Sequence, residues 1–321
     1  MKKCNWSHLF SLLCISSAVS VACADVDDAS MYASPDDADR TTAGIGTDTD
    51  PVITTQDTTG EIVETPVEWQ AVGDECIVPD RDEFMANYGV TMDDDDLSDP
   101  NVVAAKRHTI LFIFDKSGSM QSAWNEDGGS KWDIAKDAMI ASVEPFQTYL
   151  SAGALFFPLY YGGVEVAPID SGLQINYSIG SAFMSTWEQN MEIYAADGGT
   201  PLMVALEAAN DAIAYACDLN LMTQPFKVVL LTDGMPDYWD AQRGLTLIKS
   251  WYDMGIPTTV MGMPGSQSAA QLLADIADVG SGGEVDLSTG TVTSEGDADE
   301  IIYTNESTYE DFESDLTIAA E

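Results

Sequence analysis

Short oxygen-bearing side chains occur at three places in the sequence, next to apolar segments. FIFDKSGSM ends an apolar run with Asp115, Ser117 and Ser119. LLTDG places Asp233 after a second apolar run, and DGGTP places Thr200 before an alanine-rich segment. Hydroxyls and carboxylates, without histidine or cysteine, are ligands for Mg²⁺, Mn²⁺ or Ca²⁺ rather than for zinc or copper. The residue types therefore indicate a divalent-cation site, with Mg²⁺ as the expected ion and Mn²⁺ or Ca²⁺ as alternatives.

The neutral hydroxyls in this ligand set have a chemical consequence. Magnesium prefers octahedral oxygen coordination and keeps some of its waters. A cation held by serine and threonine hydroxyls, with aspartates acting partly through water, keeps uncompensated positive charge. An incoming carboxylate can complete the coordination, so the pattern favours capture of an acidic group of a ligand.

These residues need a scaffold that brings three distant segments to one place. From residue 102 onward, apolar runs alternate with helix-patterned segments, which is typical of a doubly wound α/β fold with a mostly parallel sheet and helices on both faces. HTILFIF (108–114) is expected to be a central strand buried on both sides, and FKVVLLTDG (226–234) another buried strand. In such sheets, ligands bind outside the carboxyl ends of the strands. The three oxygen-rich segments are therefore predicted to meet there.

Several helices are predicted around this sheet. In the segment 200–217, Thr200 is expected to be the N-cap and Pro201 the first helical residue. Residues 282–297 are rich in Gly, Ser and Thr and are predicted to form a long loop. The remaining helices are predicted at KWDIAKDAMIASVEPF (131–146), DAQRGLTLIKSWYDMG (240–255), SQSAAQLLADIADVG (266–280) and YEDFESDLTIAA (309–320).

The motifs resemble those of a known family. DKSGSM matches the D-x-S-x-S motif of von Willebrand factor A domains, and GGTP and LLTDG match the family's two later metal-site segments in the same order. The resemblance covers about residues 106–320, and the Lys-Trp-Asp of SKWDIAKDAM is similar to bacterial members. It implies a Rossmann-like fold with a metal-ion-dependent adhesion site. By that resemblance Ser117, Ser119 and Thr200 bind the metal directly, and Asp115 and Asp233 act directly or through water.

The N-terminal residues 1–23 are predicted to be a targeting signal. Lys2 and Lys3 precede LFSLLCISSAVSVA, an apolar stretch too short to span a bilayer comfortably. Ala22-Cys23-Ala24 fits a small-x-small cleavage site. Alternatively, SVAC resembles a bacterial lipobox in which Cys23 is lipidated and becomes the mature N-terminus. The protein is thus expected to be exported, either anchored at the cell envelope as a lipoprotein, which the following acidic stretch favours as a tether, or secreted.

Two segments separate the signal from the α/β domain. Residues 24–65 are rich in Asp, Thr, Ala and Gly and are predicted to be a disordered linker. Residues 66–105 are predicted to be an irregular extension packed on the main domain, which covers 106–320. Lipidation of Cys23 would leave Cys76 and Cys217 in an oxidising compartment, and we predict a disulfide between them. Two buried free cysteines are the alternative.

The charge balance limits the partners. The 321 residues include 54 acidic and 12 basic side chains, with a formal net charge of −42. Nucleic acids and anionic membranes both need a basic patch that this chain lacks, so membrane contact is expected only through a lipid anchor. The expected partner is a protein ligand that offers an acidic side chain.

Three classes of function are compatible with these features to different degrees. The leading one is an exported or surface-anchored adhesion module that depends on a divalent cation. A structural or assembly component of a cell-surface complex is the alternative, and a metal-assisted or serine hydrolase is the third. An enzyme is not expected, because His108 is the single histidine after processing and is predicted at the end of its strand opposite Ser117. No G-x-S-x-G, H-E-x-x-H or P-loop pattern is present.

Overall fold

The computed structural model describes residues 76–91, 93–124, 129–161, 164–166, 173–294, 296, 301–303 and 309–320, together with two short strands near the N-terminus. The chain divides into two compact units, Met1–Val67 and Glu68–Glu321. In the first unit, β1 (Thr54–Gln56) and β2 (Ile62–Glu64) pair antiparallel. This hairpin lies within the segment predicted to be a disordered linker. The predicted signal segment and Cys23 lie outside the described residues.

The described part of the second unit contains ten strands and eight helices. The strands are β3 (His108–Asp115), β4 (Leu150–Phe157), β5 (Leu159–Tyr161), β6 (Val164–Val166), β7 (Ile175–Ile179), β8 (Phe226–Thr232), β9 (Thr258–Gly262), β10 (Glu284–Asp286), β11 (Thr291–Ser294) and β12 (Ile301–Tyr303). The helices are α1 (Arg81–Ala86), α2 (Pro100–Ala105), α3 (Lys131–Val143), α4 (Gly180–Met191), α5 (Leu202–Asp218), α6 (Ala241–Asp253), α7 (Ala270–Gly280) and α8 (Tyr309–Ala320).

A six-stranded sheet organises this unit, with the strand order β12-β9-β8-β3-β4-β7. Five of these strands run parallel, and β7 pairs antiparallel with β4 at one edge. The predicted α/β fold, a doubly wound and mostly parallel sheet flanked by helices, is confirmed. The strand β3 lies near the centre, beside β8, so the two segments that follow these strands begin as neighbours.

Side chains of β3 alternate between two cores, one on each face of the sheet. Leu111 and Ile113 pack in a cluster with residues of α5, α6 and α7. Phe112 and Phe114 pack on the other face with residues of α3, α4 and α8. Both faces are covered, which is why all eight residues of β3 are buried and why the sequence reads as a continuous apolar run. A rigid strand of this kind fixes the position of whatever follows it.

Several elements differ from the sequence-based expectation, and the helices α1 and α2 lie in the segment predicted to be irregular. The strand β7 and the helix α4 were not predicted, because β7 buries only Ile175 fully and α4 buries only Gly180, Phe183 and Trp187 among polar neighbours. An edge strand and a helix with so narrow an apolar face give a weak periodic signal. In the predicted long loop 282–297, β10 and β11 form an antiparallel hairpin.

A disulfide joins the N-terminal extension to the α/β domain, as the sequence predicted. Cys76 is bonded to Cys217 in the last turn of α5, with 6.0 Å between the two Cα atoms. Cys76 and Val78 are buried in the core cluster that contains α5 and α6, and the Val78 N–H donates to the Met254 carbonyl at 2.9 Å. Within the described residues, no helix has the length and apolar character needed to cross a membrane.

His108 begins β3 at the end of the sheet opposite the oxygen-rich segments. Its Nδ1 lies 2.9 Å from the Lys106 carbonyl oxygen, and its Nε2 lies 2.9 Å from the Ala320 carbonyl oxygen at the end of α8. Burial lowers the pKa of His108 to about 4, and the charges of Lys227 and Arg81 act in the same direction. The two carbonyl oxygens act in the opposite direction and do not cancel the effect of burial.

This lowered pKa predicts a loss of stability in acid. Between about pH 6.5 and pH 4 the unfolded chain binds a proton at His108 while the folded chain does not, so the free energy of unfolding falls as the pH falls. For this one group, the expected loss between pH 8 and pH 5 is about 2 kcal/mol. Urea unfolding of the wild type and His108→Gln across this range measures it. Parallel pH profiles for the two proteins would contradict it.

Candidate metal centre

The carboxyl ends of β3 and β8 position four of the five predicted site residues. Asp115 is the last residue of β3, and Asp233 directly follows β8. Ser117 is the N-cap residue of the short 3₁₀ turn Gly118–Gln121 that follows β3, and Ser119 lies within this turn. Parallel neighbouring strands end at the same edge of a sheet, so two segments more than a hundred residues apart meet there.

Hydrogen bonds connect these side chains into one network. The Ser117 and Ser119 hydroxyl oxygens are 2.9 Å apart, and the Ser119 hydroxyl donates to Asp233 Oδ1 at 2.7 Å. The Asp115 carboxylate accepts from the Ser117 N–H at 2.7 Å and from the Thr232 hydroxyl at 2.6 Å. The network fixes both carboxylates relative to the serine-bearing turn, and it places hydroxyl and carboxylate oxygens close enough to share a ligand.

Thr200 reaches the same region through the loop before α5. The expectation that it caps this helix was wrong: α5 begins at Leu202, and Pro201 is the N-cap residue. Instead, the Thr200 N–H donates to Asp237 Oδ2 at 2.7 Å, and the Asp237 N–H donates back to the Thr200 carbonyl at 3.0 Å. A Cβ atom on Gly199 would overlap the same Asp237 oxygen, so only glycine leaves room for this contact.

A further contact ties this loop to the serine-bearing turn. The Gly118 N–H donates to the Gly198 carbonyl at 2.9 Å, and the Asp197 N–H donates to the Lys116 carbonyl at 2.8 Å. The three predicted segments are therefore joined to each other by hydrogen bonds at one edge of the sheet. All five predicted residues, Asp115, Ser117, Ser119, Thr200 and Asp233, belong to this joined set, Thr200 through its backbone.

The electrostatics of the site are those of a buried anion pair. Asp115 and Asp233 are both almost fully buried. Burial and, to a lesser degree, the negative charge of Asp233 raise the pKa of Asp115 to about 6. Lys131, also buried, forms an ion pair with Asp233 Oδ2. These three buried groups, two carboxylates and the Lys131 ammonium, together carry one net negative charge.

This donor set fits a hard divalent cation. Hydroxyl and carboxylate oxygens are the ligand types of Mg²⁺, Mn²⁺ and Ca²⁺, and a cation would relieve the repulsion between the two buried carboxylates. Among the described residues, no group of three or more His, Cys, Asp or Glu side chains is arranged to hold a metal ion. Ligation of a cation by the serine and threonine hydroxyls stays a prediction.

Two residues that contact the site were missed at the sequence level. Lys131 belongs to the helix-patterned segment of α3, and nothing in the residue order shows that its side chain turns inward. Asp237 follows the TDG motif within MPD, where an aspartate is an ordinary turn residue. The glycine pair at 198–199 is the one sequence feature that could have pointed to Asp237. A side chain at Gly199 would block the contact with Asp237.

Replacing Asp237 by alanine is expected to weaken Mn²⁺ binding by about tenfold or more, because the Thr200 backbone loses the group that holds it. Asp237→Asn is the matched control, since an amide oxygen can still accept from the Thr200 N–H. Calorimetric titration with Mn²⁺ measures both variants. Equal Mn²⁺ affinities for wild type and Asp237→Ala would mean that Asp237 does not position Thr200 for the metal.

Known proteins resemble this chain in structure rather than in sequence. No family model and no curated protein sequence matches it. Solved structures do align, at low identity. PilB, a minor pilin from Streptococcus sanguinis, is 15% identical with a TM-score of 0.44. The pilus adhesin SpaC from Lactobacillus rhamnosus GG is 15% identical with a TM-score of 0.46. The manganese-loaded TRAP protein of Plasmodium vivax is 14% identical with a TM-score of 0.39.

These alignments cover only parts of the proteins. They include 67% of this chain for PilB and SpaC and 65% for TRAP, and they span 60%, 30% and 71% of those three chains. The TM-scores are 0.46 or below, so these alignments do not assign the fold. The fold is assigned from the strand order and the geometry of the site. The described domain is thus a doubly wound α/β domain with an oxygen-rich site at the carboxyl edge of its sheet.

Proposed function

We propose that this protein is an exported adhesion module that uses a divalent cation, Mg²⁺ by preference, to capture an acidic side chain of a protein ligand. The single observation that carries the proposal is the joining of the Ser117 and Ser119 hydroxyls to Asp233 at the carboxyl edge of the sheet. The bound cation supplies positive charge to the ligand's carboxylate. The chain's own residues hold and orient that cation.

Each residue has a distinct part in this proposal. The hydroxyls of Ser117, Ser119 and Thr200 hold the cation without neutralising it. The carboxylates of Asp115 and Asp233 supply the negative charge and are themselves held by the hydrogen bonds of the network. A ligand carboxylate then completes the coordination, since two aspartates partly compensated by Lys131 leave the cation short of negative charge.

The surface beside the site supports a protein ligand. Met235 and Tyr238 follow Asp233 within five residues, and their side chains are 53% and 61% exposed. Methionine and tyrosine are enriched in protein interfaces, where an apolar or aromatic body packs against the partner. A ligand side chain that reaches the metal would bring its neighbours against these two residues.

The overall charge limits which ligands fit. A net charge of −42 repels acidic proteins at long range, although the proposed site captures a carboxylate. The ligand's acidic group is therefore expected to lie within a neutral or basic surface. Added salt should weaken the binding of such a basic partner, because salt screens the long-range attraction.

Two observations support binding rather than hydrolysis. His108 and Ser117 lie at opposite ends of β3, an eight-residue strand about 25 Å long, so His108 cannot act as a base for the serines. Ser119 donates its hydroxyl proton to Asp233, an arrangement that suits a cation ligand. The predicted N-terminal targeting signal and the Cys76–Cys217 disulfide support export to an oxidising compartment.

A display library of random peptides tests the proposal, because it offers acidic and non-acidic sequences to the site side by side. The immobilised protein is loaded with Mg²⁺, and bound peptides are eluted with EDTA. We expect the eluted peptides to be enriched in Asp or Glu, and we expect no enrichment on the Ser117→Ala/Ser119→Ala variant. Peptides that stay bound in EDTA, or equal enrichment on the variant, would contradict metal-dependent capture of an acidic group.

A further inference from the structure

Lys131 places a positive charge inside the domain, against the proposed metal site. Only 6% of its side-chain surface is exposed, and its ammonium group forms an ion pair with Asp233 Oδ2, whose side chain is fully buried. The other oxygen of the same carboxylate accepts from Ser119. Asp233 therefore links Lys131 on α3 to the hydroxyls that would hold the cation.

The position of Lys131 at the start of α3 does not by itself favour a lysine. Lys131 is the first residue of α3, directly after the N-cap Ser130, and the N-terminal turn of a helix favours negative rather than positive side chains. Burial of an ammonium group is costly unless it is paired. Space for the group is left by Gly265, where a Cβ atom would lie 2.9 Å from the Lys131 nitrogen and where the backbone φ is +107°.

The charges at the site explain what this lysine can do. Asp115, Asp233 and Lys131 together carry one net negative charge. A bound divalent cation turns this into one net positive charge. Without the lysine, the same cation would be fully neutralised by the two aspartates, and an incoming carboxylate would meet no net attraction.

We propose that Lys131 is an internal counter-charge that weakens metal binding in order to strengthen ligand binding. This inference rests on the proposed function and adds to it the residue that sets the charge of the loaded site. The positive charge of Lys131 opposes the cation, and it favours the ligand carboxylate that the cation captures. Removal of the charge should therefore change the two affinities in opposite directions.

Lys131→Gln tests this coupling, since its amide can still donate a hydrogen bond to Asp233 without carrying charge. Calorimetric titration with Mn²⁺ alone is expected to show an affinity at least about tenfold higher than that of the wild type. Acetate is then added to the Mn²⁺-saturated proteins as the carboxylate probe. Paramagnetic broadening of its methyl proton signal should report binding several-fold weaker in Lys131→Gln than in the wild type.

Two further variants separate charge from structure. Lys136→Met removes one positive charge from the same helix at a partly exposed position, paired with Asp133, and should leave both affinities near wild type. Lys131→Met lacks the hydrogen bond as well as the charge. If either Lys131 variant is unstable without metal, the rise in melting temperature on addition of Mn²⁺ should still exceed that of the wild type, because the metal then binds more tightly.

The outcomes separate this inference from the proposed function. Tighter Mn²⁺ binding together with weaker acetate binding supports the counter-charge. Weaker or unchanged Mn²⁺ binding in both Lys131 variants would overturn the inference and leave the metal-dependent function in place. A wild-type protein that binds no Mn²⁺ would overturn both, and a merely structural lysine would lower both affinities together.

Discussion

Replacing Ser117 and Ser119 together by alanine is expected to lower the affinity for Mn²⁺ by at least about a hundredfold. Both hydroxyls belong to the network with Asp233, and a change to a group that only supports a ligand already costs about 10–100-fold in metal proteins. Loss of two direct ligands should exceed that range. The folded domain should persist, because neither hydroxyl contributes to the two cores on the faces of the sheet.

The control for this variant is Ser122→Ala. Ser122 is exposed and lies directly after the same 3₁₀ turn, so its replacement tests for a general effect of removing a hydroxyl there. Calorimetry with Mn²⁺ and far-ultraviolet circular dichroism are measured on all three proteins. A double variant that binds Mn²⁺ as the wild type does would mean that the serines are turn residues and not metal ligands.

Removal of the Cys76–Cys217 bridge is expected to have the largest effect on stability. The two cysteines are 141 positions apart, and a cross-link that closes a long loop restricts the unfolded chain strongly. The expected loss in the free energy of unfolding is about 2–5 kcal/mol for Cys76→Ala/Cys217→Ala. Urea unfolding of this variant and of the wild type, both with and without reductant, measures the loss.

Reductant provides the internal control. It should lower the stability of the wild type towards that of the double alanine variant, and it should leave the variant unchanged. The extension should also detach first, since the burial of Val78 and its hydrogen bond to Met254 then hold its start without a covalent link. Identical unfolding midpoints for the wild type with and without reductant, together with two alkylated thiols in the untreated protein, would exclude the disulfide.

The central part of the fold could be predicted because burial on both faces leaves a clear pattern. The apolar runs of β3 and β8, and the motifs that follow them, identified the strands and placed Asp115 and Asp233 at the same edge. The spacing of apolar residues did not predict β7 and α4, because each of these segments buries only part of one face. In those segments, packing against the rest of the domain decides the structure, and the local sequence says little.

The meeting of the oxygen-rich segments at one edge of the sheet could be predicted from the sequence, whereas the residues that support them could not. Ser117, Ser119 and Asp233 stand in recognisable motifs, so their residue types alone suggested the chemistry. Lys131 and Asp237 depend on contacts with segments far away in the chain, and such contacts are decided by the folded structure. Thr200 shows the same limit, because its position before a helix suggested a cap, whereas Asp237 holds it outside the helix.

Diffraction from crystals soaked in Mn²⁺, with data collected at the manganese absorption edge, tests the central claim most directly. We expect one anomalous peak at the carboxyl edge of the sheet, about 2.2 Å from the hydroxyl oxygens of Ser117 and Ser119, with Thr200 and Asp233 beside it. A cation bound elsewhere, or no peak at this edge from crystals soaked at a saturating Mn²⁺ concentration, would contradict the account.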